Sequence, residues 1–206
     1  MGVISNGTTL LDAGSLDSGV SQGKLVHIKT LTASDSSNLT FTHGSSGVTF
    51  DSTYKAYIFK FVEIHPVTDE QAFGFNASTN NSDYNVNKHT TFYRAQHLEN
   101  DAGTAFEYVA ADDLANGTGE AKISNLCGSD ADQNISGEMY VFEPSSTTFV
   151  KHIKAVVNSC FTDSEASANL FMAGYINTTS AVTSVRFKFA SGNIDSGTIK
   201  LYGVGA

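Results

Sequence analysis

The chain has 206 residues, and its 12 Lys and Arg against 21 Asp and Glu give a formal net charge of -9. That balance argues against a nucleic-acid surface, because neutralising phosphates takes clustered cations and those here are scattered singly. Hydrophobic residues make up 40% and charged residues 16%, with Gly, Ser, Thr and Asn in place of good helix formers, so one all-β domain with few helices is expected.

Residues 1–24 are rich in Gly, Ser and Asp, with short apolar touches at Val3-Ile4, Leu10-Leu11 and Leu16. They read as an extended arm that lies along its own domain or reaches a neighbouring subunit. The start lacks the basic flank and apolar stretch of a signal peptide, and Asn6 stands where a myristoylation signal prefers Ser or Thr. No apolar run reaches the roughly 18 residues of a membrane helix.

Residues 25–206 read as the sandwich domain. Strand candidates follow at Leu25 to Thr32, Leu39 to Phe41, Val48 to Phe50 and Tyr54 to Ile64, the last stopped by Pro66, which cannot donate to a ladder. Ala72 to Ala77, Thr90 to Gln96, Phe106 to Val109, Ala121 to Leu126, Gly137 to Phe142, Phe149 to Asn158 and Leu170 to Ile176 continue the series. Ala110 to Leu114 is the one plausible helical turn. Ser145 to Thr148, after Pro144, reads as a hairpin-type connection. The final pair, around Val185 to Phe189 and Ile199 to Tyr202, reads as a closing hairpin with Phe187, Phe189, Ile199 and Leu201 facing the core. About a dozen short strands with Gly-rich connections imply an antiparallel β-sandwich, jelly-roll-like, with an extended N-terminal arm.

The side chains that carry chemistry give no complete motif. His27, His43, His65, His89, His97 and His152 form no His-x-His or His-x-x-x-His pair. Asp130, Asp132 and Asn134 have the spacing that gathers oxygens around calcium, yet Ile135 takes the required glycine position and Val141 that of the bidentate Glu; a solvated loop is favoured over a calcium site. Glu63, Glu138 and Glu143 are available for glycoside hydrolysis without its signature, and neither a nucleophile elbow nor a phosphate loop occurs. The expectation is therefore a protein that is not an enzyme, with no catalytic, cofactor or metal residues. Cys127 and Cys160 have no framework spacing and read as free thiols. The sequons at Asn6, Asn38, Asn76, Asn80, Asn116, Asn134 and Asn177 are of the kind that Asn, Ser and Thr richness generates by chance.

Several stretches resemble β-rich virion structural proteins of marine tailed bacteriophages. They are Ile28-Lys29-Thr30-Leu31, Phe50 to Phe61, Ile64 to Asp69, Thr91-Phe92-Tyr93-Arg94, Pro144 to His152, Ala173-Gly174-Tyr175, Asn177 to Val182 and Ser191 to Val204. The resemblance implies an exterior virion component, a head-decoration protein or a compact tail fibre or tip piece, and brings no catalytic residues. It further implies assembly in the host cytoplasm as a symmetric homo-oligomer such as a trimer, in contact with other virion proteins and with a host surface glycan as a further partner. The reducing cytosol agrees with unbridged thiols. The alternatives are a carbohydrate-binding receptor module and, behind it, a glycan-cleaving enzyme.

Overall fold

Period-two alternation, the feature of the sequence that exposes one face of a strand and buries the other, is realised most cleanly over Lys151–Phe161 and the first half of Ala166–Ile176. The computed structural model describes residues 3–5, 8–12, 15–16, 25–161 and 166–205. In chain order the strands are β1 (Val3–Ser5), β2 (Thr8–Asp12), β3 (Ser15–Leu16), β4 (Leu25–Thr32), β5 (Leu39–Thr42), β6 (Ala56–Pro66), β7 (Gln71–Ser78) and β8 (Lys88–Leu98). They continue with β9 (Thr104–Tyr108), β10 (Leu114–Gly117), β11 (Ala121–Cys127), β12 (Ile135–Phe142), β13 (Lys151–Phe161), β14 (Ala166–Ile176), β15 (Ser184–Phe189) and β16 (Ile194–Val204).

Every pairing is antiparallel, and the domain is an all-β, jelly-roll-like sandwich of two unequal layers. The larger layer runs β4-β16-β6-β12-β13-β14-β8, with β9 and β10 sharing the far edge of β8. The smaller runs β5-β15-β7-β11 and joins the larger through one bridge, Cys127 to Phe161. The chain passes repeatedly from layer to layer, at β4 to β5, β5 to β6, β6 to β7 and β7 to β8, which makes the two sheets one cooperative unit. Strands β1, β2 and β3, within the stretch read as an extended arm, form a ladder of their own. The rest of that stretch, including residues 17–24, lies outside the described residues, as does the sequon residue Asn6.

The core sits between the layers and is built from phenylalanine. The Phe187 ring on β15 lies 5.0 Å from Phe59 and 5.3 Å from Phe61 across the core, both nearly edge-on, and 6.1 Å from Phe73 in its own layer. Phe41 and Phe75 complete the cluster. Edge-to-face pairs of this kind add attraction beyond the area they bury.

Three expectations are corrected. The last two strands do not form a hairpin: β15 pairs with β7 and β5, β16 with β6 and β4, and residues 190–193 cross from one layer to the other. The alternation is the same for either arrangement, so Phe187, Phe189, Ile199 and Leu201 are fully buried as expected, facing one another from opposite layers. Ala110 to Leu114 is a turn followed by β10, because the Leu114 N–H is drawn to Thr90 Oγ1 at 2.9 Å instead of a helical carbonyl. Val48 to Phe50 joins no ladder, yet Val48 and Phe50 are buried, and the Phe50 N–H donates to His43 Nδ1 at 2.9 Å.

Two lysines stand on core-facing positions. Lys151 opens β13 with its Nζ donating to the carbonyls of Phe149, Thr178 and Ser180 at 3.1, 3.0 and 2.7 Å, and burial lowers its pKa. Lys88 opens β8 and is equally enclosed.

The ring cluster sets a first expectation. Phe187→Ala should cost about 3–5 kcal/mol in a urea series, as large-to-small core changes do. Lys188→Ala, one residue on and facing away, should cost within about 0.5 kcal/mol. Equal losses would mean that the outer face of β15 is packed as tightly as the inner.

Candidate functional site

Two regions gather side chains that water would otherwise cover. The first is at one end of the sandwich, where the connection between β11 and β12 folds over the ends of β6 and β16. Asp130 begins a turn closed by the Gln133 N–H on its carbonyl at 2.9 Å. His65 Nε2 lies 3.1 Å from the same carbonyl, and His65 Nδ1 is 3.4 Å from Asp195 Oδ2 without hydrogen-bond geometry. The Ser129 N–H donates to Asp69 Oδ1 at 3.0 Å. A bulge widens the opening: Gly197 has φ +113, and a Cβ there would lie 2.4 Å from the Glu63 carbonyl oxygen. The result is an open, polar cavity of about 530 Å³ lined by Glu63, His65, Asp132, Asn134 and Asp195 among others.

The loop whose spacing suggested calcium is therefore shaped by internal contacts. The Asp130 carbonyl meets His65, Asn134 Oδ1 accepts from Ser136 Oγ at 3.4 Å, and Asp132 is exposed. Among the described residues no group of three His, Cys, Asp or Glu side chains is placed to share a metal ion. The three glutamates considered for hydrolysis are dispersed. Glu63 lines the end cavity, Glu138 pairs with Lys60 at 3.4 Å, and Glu143 pairs with Lys55 at 3.1 Å.

The second region is the outer face of the larger layer, where aromatic residues recur at i, i+2 on the side opposite the core. On β14, Leu170 and Met172 point inward while Phe171 and Tyr175 point outward; on β8, Phe92 is inside and His89 and Tyr93 outside. The ladder aligns them, Phe171 opposite Tyr93, Tyr93 opposite Tyr108, and Tyr175 opposite both His89 and His152. Tyr93 stacks on Phe171 at 4.8 Å with 9° between planes, and Phe106 meets Tyr93 edge-on at 5.8 Å. Nearer β12, His89 stacks on Tyr175 at 5.6 Å, Tyr140 on Phe142 at 6.0 Å, and Lys154 Nζ lies 4.6 Å over the Tyr140 ring.

Much of this face is open to solvent: Phe106 is 78% exposed, Tyr108 54%, Val156 40% and Phe142 36%. A shallow groove of about 410 Å³ runs between His89, Thr91, Phe142, His152 and Tyr175. In its floor β14 and β8 approach closely at Gly174, where a Cβ would lie 2.1 Å from the His89 carbonyl oxygen. His89 and His152, read singly in the sequence, thus share one platform. The other histidines are apart from it, His97 beside Asp101 at 3.1 Å and His27 against Thr30 and the Tyr202 ring. The platform has a sequence signal, the outward pairs Phe106-x-Tyr108, Tyr140-x-Phe142 and Phe171 with Tyr175, which stand out once the inward partners are assigned.

Comparison with protein-family models, with curated protein sequences and with solved structures gives no match to this chain.

The two thiols are free. Cys127 is fully buried on β11, and burial pushes its pKa up to about 12, whereas Cys160 is partly exposed beside the end loop. Below about pH 9, the ordinary value, the Cys127 thiol is neutral in both folded and unfolded chains. Between there and about 12 only the unfolded chain ionises, so this group's stabilisation is lost as pH rises through that window. Thiol titration without reductant should find Cys160 reactive in the native protein and both thiols after denaturation. No reactive thiol after denaturation would mean a bridge.

Proposed function

We propose that the protein is an exterior structural component of a tailed-phage virion, working by surface contact through the outer aromatic face of its larger sheet. The observation that carries the reading is that face: Phe106, Tyr108, Val156 and Phe142 stand in solvent beside stacked rings of β8, β12 and β14. Scattered apolar residues on a surface are ordinary; a contiguous band of them marks an interaction site. Aromatic residues also anchor interfaces at low conformational cost, since each has only two rotatable side-chain bonds. Symmetric copies of this chain, or a neighbouring virion protein, would cover the band, and a homo-oligomer such as a trimer is the simplest assembly that does so.

The resemblance of the stretches from Ile28 to Val204 to marine tailed-phage structural proteins supports the virion setting. A rigid two-layer core suits a protein that must stay folded outside the cell. The acidic surface, with its net charge of -9, keeps copies soluble until the apolar band docks. A second reading, a glycan-binding module that recognises the host, is favoured by one observation. The His89 and Tyr175 rings stack in an open groove with His152 edge-on to Tyr175, a platform on which the apolar face of a sugar ring can lie.

Electron microscopy of intact particles decorated with an antibody against this chain tests the proposal. The expected result is regular label at symmetry-related positions on the outside of the head or at the tail tip. Particles that carry no label, although the protein is present in the infected cell, would contradict it. Loss of that label from particles competed with free host glycan would favour the second reading.

A further inference from the structure

We infer that Lys88 and Asn76 form an intramolecular isopeptide bond, with Glu120 carrying the proton, so that β7 and β8 are covalently braced across the two layers.

The pieces come from three strands and the residue that precedes a fourth. Asn76 lies on β7 and Lys88 opens β8; both are enclosed, with 2% and 0% of their surface exposed. Lys88 Nζ donates to Asn76 Oδ1 at 2.6 Å and to the Val86 carbonyl at 2.8 Å. The carboxamide is held in one orientation, since its Nδ2 donates to the Thr118 carbonyl at 3.0 Å while its Oδ1 also accepts from the Ala77 N–H at 2.9 Å. Because a C=O bond is about 1.2 Å long, the lysine nitrogen lies within about 4 Å of the amide carbon. That is close to the separation from which a bound nucleophile attacks.

The surroundings supply what the reaction needs. Burial lowers the Lys88 pKa to about 8, which favours the neutral, nucleophilic amine relative to an exposed lysine. The Ala77 N–H points at the oxygen on which negative charge would develop, as an oxyanion donor does. Glu120, just before β11, has its Oε1 held by Arg186 Nη2 at 2.5 Å, and Arg186 stands directly opposite Asn76 in the β15–β7 ladder. Its Oε2 is buried and accepts no hydrogen bond, an expensive arrangement for a carboxylate unless that oxygen has a use. The Glu120 charge favours the protonated form of Lys88, and the Arg186 charge opposes it.

The chemistry balances without a cofactor or co-reactant. The neutral Nζ attacks Asn76 Cγ, and the carbonyl electrons move to Oδ1. Glu120 accepts a proton from Nζ and delivers it to Nδ2. The tetrahedral intermediate then collapses, the Cγ–Nδ2 bond breaks and ammonia departs, leaving a Cγ–Nζ amide. The enclosure of both groups keeps water from competing for the carbonyl. The bond would close residues 76–88 into a ring joining the smaller layer to the larger, at the opposite end of β8 from the ladder bridge of Cys127 to Phe161.

Intact-mass measurement of the full chain under denaturing conditions tests this, after allowing for the initiator methionine. The expected mass is one ammonia below that of the sequence, with a branched peptide joining residues 76 and 88 after proteolysis. Lys88→Met and Asn76→Ala should restore the full sequence mass, and Glu120→Gln should slow the loss by about a hundredfold. Lys88→Arg, which keeps the charge, provides the same reading if Lys88→Met does not fold. A wild-type chain at full sequence mass after prolonged incubation would overturn the inference. So would a deficit that persists in Lys88→Met, which would place the lost ammonia at a cyclised asparagine such as Asn116 before Gly117.

Discussion

The contact between Phe187 and the rings of Phe59 and Phe61 is the interaction on which the rest depends, because it locks the smaller layer onto the larger. Among the described residues the two sheets share one ladder bridge, Cys127 to Phe161, so their alignment is set mainly by side chains. Phenylalanine suits such a core, since each ring buries a large area and edge-to-face pairs prefer particular orientations. Chain crossings such as residues 190–193 add to it. The Ala190 N–H donates to the Ala72 carbonyl of the smaller layer at 2.9 Å, and the Asn193 carbonyl accepts from the Val67 N–H, beyond β6 of the larger, at 3.0 Å.

Buried cations finish the ends of this core. Lys151 gathers three carbonyls from the connections flanking β13 and β14, satisfying backbone acceptors that no strand reaches. Removing it would take a hydrogen bond from all three. With the inner faces thus committed to packing, the outer face of the larger sheet is the one the proposed assembly would use. Its ladder sets Phe171, Tyr93 and Tyr108 in one row across three strands.

The layers are legible in the sequence because burial leaves a period-two record: Phe187 and Phe189, and Ile199 and Leu201, read as core residues and are fully buried. Partner choice was not legible. A strand buries the same residues whether it pairs with its neighbour in sequence or crosses to the opposite layer, which is why β15 and β16 read as a hairpin. The helical turn at Ala110 failed for a local reason, the capture of the Leu114 N–H by a threonine from β8. For the candidate site, outward aromatic pairs were present in the sequence, yet joining Phe171 to Tyr93 or Tyr175 to His89 requires the register of strands more than 70 residues apart. Asn76 and Lys88 were hidden for another reason, since Asn76 read as a chance sequon and a lysine at a strand's start reads as solvated until its enclosure is seen.

If the protein assembles as proposed, its outer aromatic face is covered in the particle. Hydroxyl-radical footprinting of the dilute chain and of the assembled particle compares it residue by residue, since aromatic rings label readily when open. Strong loss of labelling at Phe106, Tyr108 and Phe142 on assembly, with Tyr54 and Val67 unchanged, is the predicted result. Equal labelling of Phe106 and Tyr108 in both states would contradict the account and leave this face in solvent.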